Sequence, residues 1–229
     1  MPELKETKKY TFTVESETEM WYFEWLKDQI NACESAAYKV SIVAKVQKSP
    51  SKFAKSQTTF STPSVVHICD MESNEPEHKK NFTDVLDQIS NANKLGKKIK
   101  YDLGYSNFAF ELWIALHKVN CNGPLTHRSQ YLKHINRAFG EHFHDLDQYK
   151  MEDNFKRCLS KLTLDDVKSA VDKAKQIMDN NDTDPGKKPV FYKKFKYYED
   201  NPSLTIWEHV KTILVECGII VEPKEESNE

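Results

Sequence analysis

Two acidic residues at the end of an apolar segment have the types and the spacing to bind a metal ion. The segment Val65–Asp70 is mostly apolar and rich in β-branched residues, which predicts a buried strand. Residues two apart in an extended backbone point to the same side, so Asp70 and Glu72 would leave the strand end together. Mg²⁺ needs only one or two carboxylates and keeps several waters. The pattern therefore predicts a Mg²⁺ site, and the alternative is that Asp70 ends the strand while Glu72 lies in a solvated loop.

A third acidic residue, Glu111, lies within a segment that is apolar on nearly every side. Residues 106–117 predict a buried helix, with Ser106 or Asn107 as its N-cap. A buried carboxylate needs a cation or hydrogen-bond donors. Glu111 therefore either forms a structural salt bridge or faces a site at the strand ends, and the pattern leaves both interpretations open.

Strands and helices alternate over the first 105 residues, and these elements would position the acidic residues. This order predicts an α/β fold with a mainly parallel sheet covered by helices. In such sheets ligands gather outside the carboxyl ends of the strands, where Asp70 lies. The predicted strands are Lys9–Val14, Tyr38–Val46, Val65–Asp70 and Lys98–Tyr105, and the predicted helices are centred on Tyr22–Ile30 and Lys79–Lys94.

The pattern changes after residue 120, where helical periodicity dominates. The predicted helices are Arg128–Phe139, Met151–Leu162, Thr163–Met178 and Pro202–Cys217. We therefore expect an α/β domain over residues 1–120, with a helical C-terminal region over 121–221 packed on it. The polar residues 222–229 predict a disordered tail.

Composition excludes several classes of protein. The five cysteines form no C-x-x-C pair, which argues against a zinc ribbon and against a secreted disulfide framework. No signal peptide pattern and no apolar run of membrane-spanning length is present, so we expect a cytoplasmic protein without a membrane partner. The net charge of −2 means that nucleic-acid binding would depend on local basic patches.

Two segments could supply such patches. Lysines interleave with Phe53 and Phe60 in residues 47–62, and with Phe195, Tyr197 and Tyr198 in residues 187–198. Lysines could contact a phosphate backbone while the aromatic rings stack on bases. The alternatives are a solvated connector or short helix for the first segment, and a loop that packs its tyrosines on the helices for the second.

Three segments stand out in chain order: VESETE at 14–19, DME at 70–72, and SNFAFELW at 106–113 with His117 one turn later. Together they resemble the RloB-like family, a branch of the Toprim fold, which implies a Toprim-like α/β domain over residues 1–120. The most specific of the three is the Ser-Asn-x-x-Phe-Glu-Leu-Trp segment. The resemblance covers roughly residues 9–215, and Tyr149-Lys150 matches a downstream motif.

The resemblance implies roles for individual residues. Glu15 would act as general acid and base and as a metal ligand, and Asp70 and Glu72 would hold Mg²⁺ or Mn²⁺. Lys150 would contact the phosphate or pair with Glu111. Neighbouring carboxylates should raise the pKa of Glu15. The family usually has glycine where Ser16 stands and aspartate where Glu72 stands, and the longer side chain puts the Mg²⁺ affinity in doubt because Mg²⁺ geometry is strict.

The resemblance also implies a Mg²⁺-dependent nuclease that cleaves RNA or DNA as an anti-phage defence effector. Phosphodiester hydrolysis needs a metal to offset developing charge and a group that transfers protons, and these residues could supply both. A regulatory protein partner or a homo-oligomer is expected with it. The alternative is a non-catalytic Toprim-fold module that binds nucleic acid or a partner. A primase- or topoisomerase-like enzyme is disfavoured because zinc-binding cysteines are absent.

Overall fold

The computed structural model describes residues 5–57, 64–95 and 99–221, and a five-stranded sheet lies at its centre. The spatial order is β2-β1-β3-β4-β7, with the first four strands parallel and β7 antiparallel to β4. The predicted mainly parallel α/β sheet is therefore confirmed. The strands are β1 Thr7–Val14, β2 Lys39–Val46, β3 Ser64–Asp70, β4 Lys100–Asn107, β5 Pro189–Tyr192, β6 Phe195–Tyr198 and β7 Ser203–Leu204, and β5 and β6 form a separate hairpin.

Helices cover both faces of the sheet. Alternate strand residues point to opposite faces, so Phe12 and Ile68 face one core while Val65 and Cys69 face the other. The first core contains α1, α4 and the C-terminal helices, and the second contains α2, α3 and the hairpin. The helices are α1 Glu17–Ala32, α2 Pro50–Ser56, α3 Pro76–Ala92, α4 Glu111–Leu116, α5 Tyr131–Phe139, α6 Leu146–Lys150, α7 Glu152–Leu159, α8 Leu164–Thr183 and α9 Ile206–Glu216.

The predicted helix over residues 106–117 is wrong at its start. Ser106 and Asn107 belong to β4, where they pair with Leu204 and Ser203 of β7. The Asn107 side-chain amide donates to the carbonyl of Glu199 at 2.8 Å, so it binds the chain before β7 and does not cap a helix. Because that partner is distant in sequence, a local cap pattern could not distinguish the two roles.

The last predicted helix also begins later than expected. Pro202 lies in a buried segment before β7, and α9 begins only at Ile206. The C-terminal region is helical as predicted, but it also contributes β7 to the central sheet and forms the β5–β6 hairpin. The proposed division at residue 120 stays a prediction, and the predicted tail 222–229 lies outside the described residues.

The aromatic rings of the two basic segments are mostly buried. Phe53 lies in α2 and packs edge-on against Tyr101, with ring centroids 6.3 Å apart. Tyr197 and Tyr198 belong to β6 of the hairpin and are buried, and the Tyr197 ring packs edge-on against Phe82 of α3. The structure therefore favours the alternatives, a short helix for the first segment and rings packed inside the protein for the second, over rings that stack on bases. Phe60 lies outside the described residues.

Candidate active site

Glu15 and Asp70 meet at the carboxyl edge of the parallel sheet. Glu15 directly follows β1, and Asp70 is the last residue of the neighbouring strand β3. The backbone N–H of Asp70 donates to Oε2 of Glu15 at 3.2 Å. The parallel register therefore places two of the predicted site residues in direct contact.

Glu19 belongs to the same cluster, although the sequence pattern did not single it out as a site residue. It is the third residue of α1 and only 3 % exposed. The Ser16 N–H donates to its Oε2 at 3.1 Å, and the Ser16 hydroxyl donates to the same oxygen. The spacing Ser16-x-x-Glu19 is a capping-box pattern that is readable in the sequence and would have located this residue at the helix start.

Glu111 and Lys150 form an ion pair beside these carboxylates. Lys150 Nζ, at the end of α6, lies 3.0 Å from Oε1 of Glu111, the first residue of α4. The Glu111 side chain is 2 % exposed, as the apolar pattern predicted. The pairing of Lys150 with Glu111 that the sequence suggested is therefore present, and it joins the C-terminal region to the sheet edge.

Several buried oxygens in this cluster have no hydrogen-bond partner among the described residues. They include Asp70 Oδ1, Glu111 Oε2 and the hydroxyl of Ser106, which pairs with Asp70 in the β3–β4 register. A buried polar atom without a partner costs about 1–3 kcal/mol, and more if it is charged. Two carboxylate oxygens of this kind suit a divalent cation with its waters, so the donor set fits Mg²⁺.

Burial and mutual repulsion shift the acid–base behaviour of the cluster. Burial raises the pKa of Glu15 to about 7, with the Asp70 N–H acting in the opposite direction and the Glu19 and Glu72 charges adding to the increase. The predicted increase is therefore confirmed in direction, although burial, and not repulsion, is its largest cause. Burial also raises the pKa of Asp70, and the charges of Glu19, Glu111 and Glu15 add to it, in that order.

The other members of the cluster respond in the same way. Burial raises the pKa of Glu19, although hydrogen bonds from Ser16 and the backbone oppose it. For Lys150 burial favours the neutral amine, but the carboxylates of Glu111, Asp70 and Glu19 outweigh it and raise the pKa. Lys150 therefore stays positively charged, and full ionisation of the surrounding carboxyl groups is disfavoured.

Glu72 does not leave the strand end in the predicted way. The strand ends at Asp70, and Glu72 has a left-handed backbone with φ of 61°. The same-side rule holds only for extended backbone, so it fails at this turn. The Glu72 carboxylate instead contacts Nε2 of His78 at 3.1 Å and Nη1 of Arg128 at 3.6 Å.

A cavity of about 140 Å³ opens next to the cluster. Its walls include Glu15, Asp70, Glu72, Lys48 and His78. Within residues 5–57, 64–95 and 99–221, no three His, Cys, Asp or Glu side chains lie close enough together to enclose a metal ion. A cation here would be held by one or two carboxylates and by water, which is the usual coordination of Mg²⁺.

Two further residues of the motifs quoted above, His117 and Tyr149, pack inside the core. His117 is buried, with Nδ1 at 2.9 Å from the Trp113 carbonyl and Nε2 at 3.2 Å from the Tyr22 hydroxyl. Tyr149 is fully buried next to Lys150 and packs edge-on against Phe155. These side chains support α4 and α6, the helices that carry Glu111 and Lys150.

Comparison with known proteins gives one match. A family model described as "RloB-like protein" matches residues 10–213, which is most of the chain. A search of curated proteins found no match, and a search of solved structures found none either. Among the described helices, none has the length and apolarity needed to cross a membrane.

Proposed function

The chain belongs to the RloB-like family, and on this basis we propose that it is a Mg²⁺-dependent nuclease that hydrolyses phosphodiester bonds of RNA or DNA. One observation carries the proposal. Two buried carboxylate oxygens, Asp70 Oδ1 and Glu111 Oε2, have no protein partner in the described part of the chain, and a lysine lies beside them. A divalent cation is the ligand that this donor set would accept.

Asp70, together with Glu19 or Glu111, would hold the cation. When bound, Mg²⁺ would polarise a phosphoryl oxygen and offset the charge that develops during hydrolysis. Glu15 would move the proton, because its carboxylate lies against Asp70, accepting from the Asp70 N–H at 3.2 Å, and a positioned carboxyl group can accept and return a proton. Lys150 orients Glu111 through the 3.0 Å ion pair.

Charge explains why the cluster would need a metal before it binds a polyanion. With the acids ionised, Glu15, Glu19, Asp70 and Glu111 contribute four negative charges against the single positive charge of Lys150. The resulting field repels phosphate. A divalent cation removes two of the three excess charges.

Cleavage of labelled single-stranded RNA, tRNA and DNA with Mg²⁺ or Mn²⁺ tests the proposal. We expect cleavage by the natural protein, and loss of cleavage in Asp70→Asn, in Glu15→Gln and with chelator. Glu17→Gln is the matched control, because Glu17 lies on the exposed side of the same helix start. Cleavage that survives Asp70→Asn would exclude this site.

A non-catalytic module that binds nucleic acid or a partner is the second candidate. It is favoured by the contacts of Glu72 with His78 and Arg128, which keep a predicted metal ligand engaged elsewhere. Tight nucleic-acid binding that is unchanged in Asp70→Asn, without cleavage under any metal condition, would support this candidate.

We further propose that the protein acts in the cytoplasm as an anti-phage defence effector, together with a regulatory partner or as a homo-oligomer. This rests on the resemblance of its three acidic segments to those of the family. Phage plating on cells that express either the natural protein or Asp70→Asn is the test. Equal plaque counts for the two would contradict a defence role that depends on this site.

A further inference from the structure

Glu72 is engaged by two basic side chains at the rim of the active site. His78 lies in the first turns of α3, and Arg128 lies in the 3₁₀ turn Arg128–Gln130 before α5. Their side-chain nitrogens contact the two different oxygens of the Glu72 carboxylate. Two elements far apart in sequence therefore converge on one acidic group.

Backbone hydrogen bonds fix the position of Glu72. The Glu72 N–H donates to the Phe108 carbonyl at 2.8 Å, and the Met71 N–H donates to the Ser106 carbonyl at 2.9 Å. These bonds hold Glu72 in a left-handed conformation, which is uncommon for a residue other than glycine and occurs often at functional sites. Nδ1 of His78 lies 2.7 Å from the Ser73 hydroxyl, which orients Nε2 towards Glu72.

Arg128 and His78 have the chemistry to bind a phosphate group. A carboxylate and a phosphodiester each present one negative charge on two oxygens, and arginine binds both with its planar N–H groups. The Glu72 and His78 side chains also form part of the wall of the 140 Å³ cavity that contains Glu15 and Asp70. A phosphate that displaced Glu72 would therefore lie next to the proposed site of cleavage.

We propose that Arg128 and His78 form a subsite for a backbone phosphate of the polynucleotide strand, and that Glu72 occupies this subsite in the free protein. The inference rests on the proposed function, because it assigns the strand as the substrate of the same site. On binding, the phosphate replaces the Glu72 carboxylate on Arg128.

The test measures binding without cleavage. The affinity for a short, labelled single-stranded oligonucleotide is followed by fluorescence anisotropy across a series of salt concentrations, in EDTA and again with Ca²⁺. Arg128→Ala should weaken binding about fivefold, as expected for one partly exposed charged hydrogen bond. The slope of log K against log salt should fall by about 0.7, the value for one phosphate contact on a single strand.

Glu72→Gln provides the opposite change. Removal of the competing charge should tighten binding. The salt slope should stay that of the natural protein, because the number of phosphate contacts does not change. The double variant Arg128→Ala/Glu72→Gln should lose that gain. Arg137→Ala is the matched control, because Arg137 is an exposed arginine on the adjacent helix α5, and it should leave the slope unchanged.

Three outcomes would overturn the inference. The first is a salt slope that is equal in the natural protein and in Arg128→Ala. The second is a gain in affinity from Glu72→Gln that persists in the double variant. The third is competition by inorganic phosphate that is as strong in Arg128→Ala as in the natural protein. Competition by inorganic phosphate that depends on Arg128, without a change in oligonucleotide slope, would indicate a free-anion site and would also contradict it. Failure of cleavage alone would refute the nuclease and leave these binding results intact.

Discussion

Replacement of Glu15 by glutamine should stabilise the metal-free protein, and increasingly so as the pH rises. Burial raises the pKa of Glu15 from 4.5 to about 7 in the folded protein. The folded state therefore binds this proton more tightly than the unfolded state does. The resulting stabilisation is complete below a pH of about 4.5 and is lost as the pH rises to about 7 and above.

The size of the effect follows from the shift. One pKa unit corresponds to about 1.4 kcal/mol, so full ionisation of Glu15 costs the folded protein about 3 kcal/mol relative to the unfolded chain. About 1 kcal/mol of this cost is already present at pH 5.5 and nearly all of it at pH 8. Glutamine resembles the protonated acid in shape and carries no such cost. The stability of Glu15→Gln relative to the natural protein should therefore rise by about 2 kcal/mol between these two pH values.

Urea unfolding in EDTA at pH 5.5 and pH 8 measures this difference directly. Glu17→Gln, on the exposed side of the same turn, controls for the loss of one negative charge and should show no comparable trend. A Glu15→Gln difference that stays constant with pH, or that shrinks towards pH 8, would refute the assignment of Glu15 as a partly buried acid with a raised pKa.

Three further substitutions test the ion pair at the site and two helix ends, each by urea unfolding. Lys150→Met leaves the buried Glu111 carboxylate without its positively charged partner and should lower the free energy of unfolding by about 2 kcal/mol. The double variant Lys150→Met/Glu111→Gln should recover most of this loss. Equal losses in the two variants would contradict a coupled pair. Thr163→Ala removes the side-chain cap of α8 and should cost about 1 kcal/mol, whereas an unchanged midpoint would show that the cap contributes nothing. Gly140→Ala places a side chain on a residue with a φ of 62° and should lower the free energy of unfolding by about 1 kcal/mol. Gly123→Ala is the control, because a Cβ there meets no atom within 4 Å, and it should cost less stability. A smaller loss of stability at Gly140 than at Gly123 would refute the backbone explanation.

Much of the fold was predictable because its signals are local. Strands such as β3 are apolar and β-branched over a few residues, and the alternation of strands with helices implies a parallel sheet without knowledge of any contact. The same logic placed Asp70 at a strand end. It also identified Glu111 as a buried acid that needs a cation or hydrogen-bond donors, because a single carboxylate in an apolar helix is unusual, but it left the role of Glu111 open.

Tertiary structure decided the identity of the partners. The register of β1 against β3 and the approach of α6 bring Glu15, Asp70, Glu111 and Lys150 together, and no short-range pattern encodes these contacts. Asn107 looks like a helix cap in sequence but lies in a strand, because its amide partner, the carbonyl of Glu199, is 92 residues away. Segment types therefore follow from local periodicity, whereas the role of each site residue depends on charges and hydrogen-bond partners that only the folded chain brings within reach.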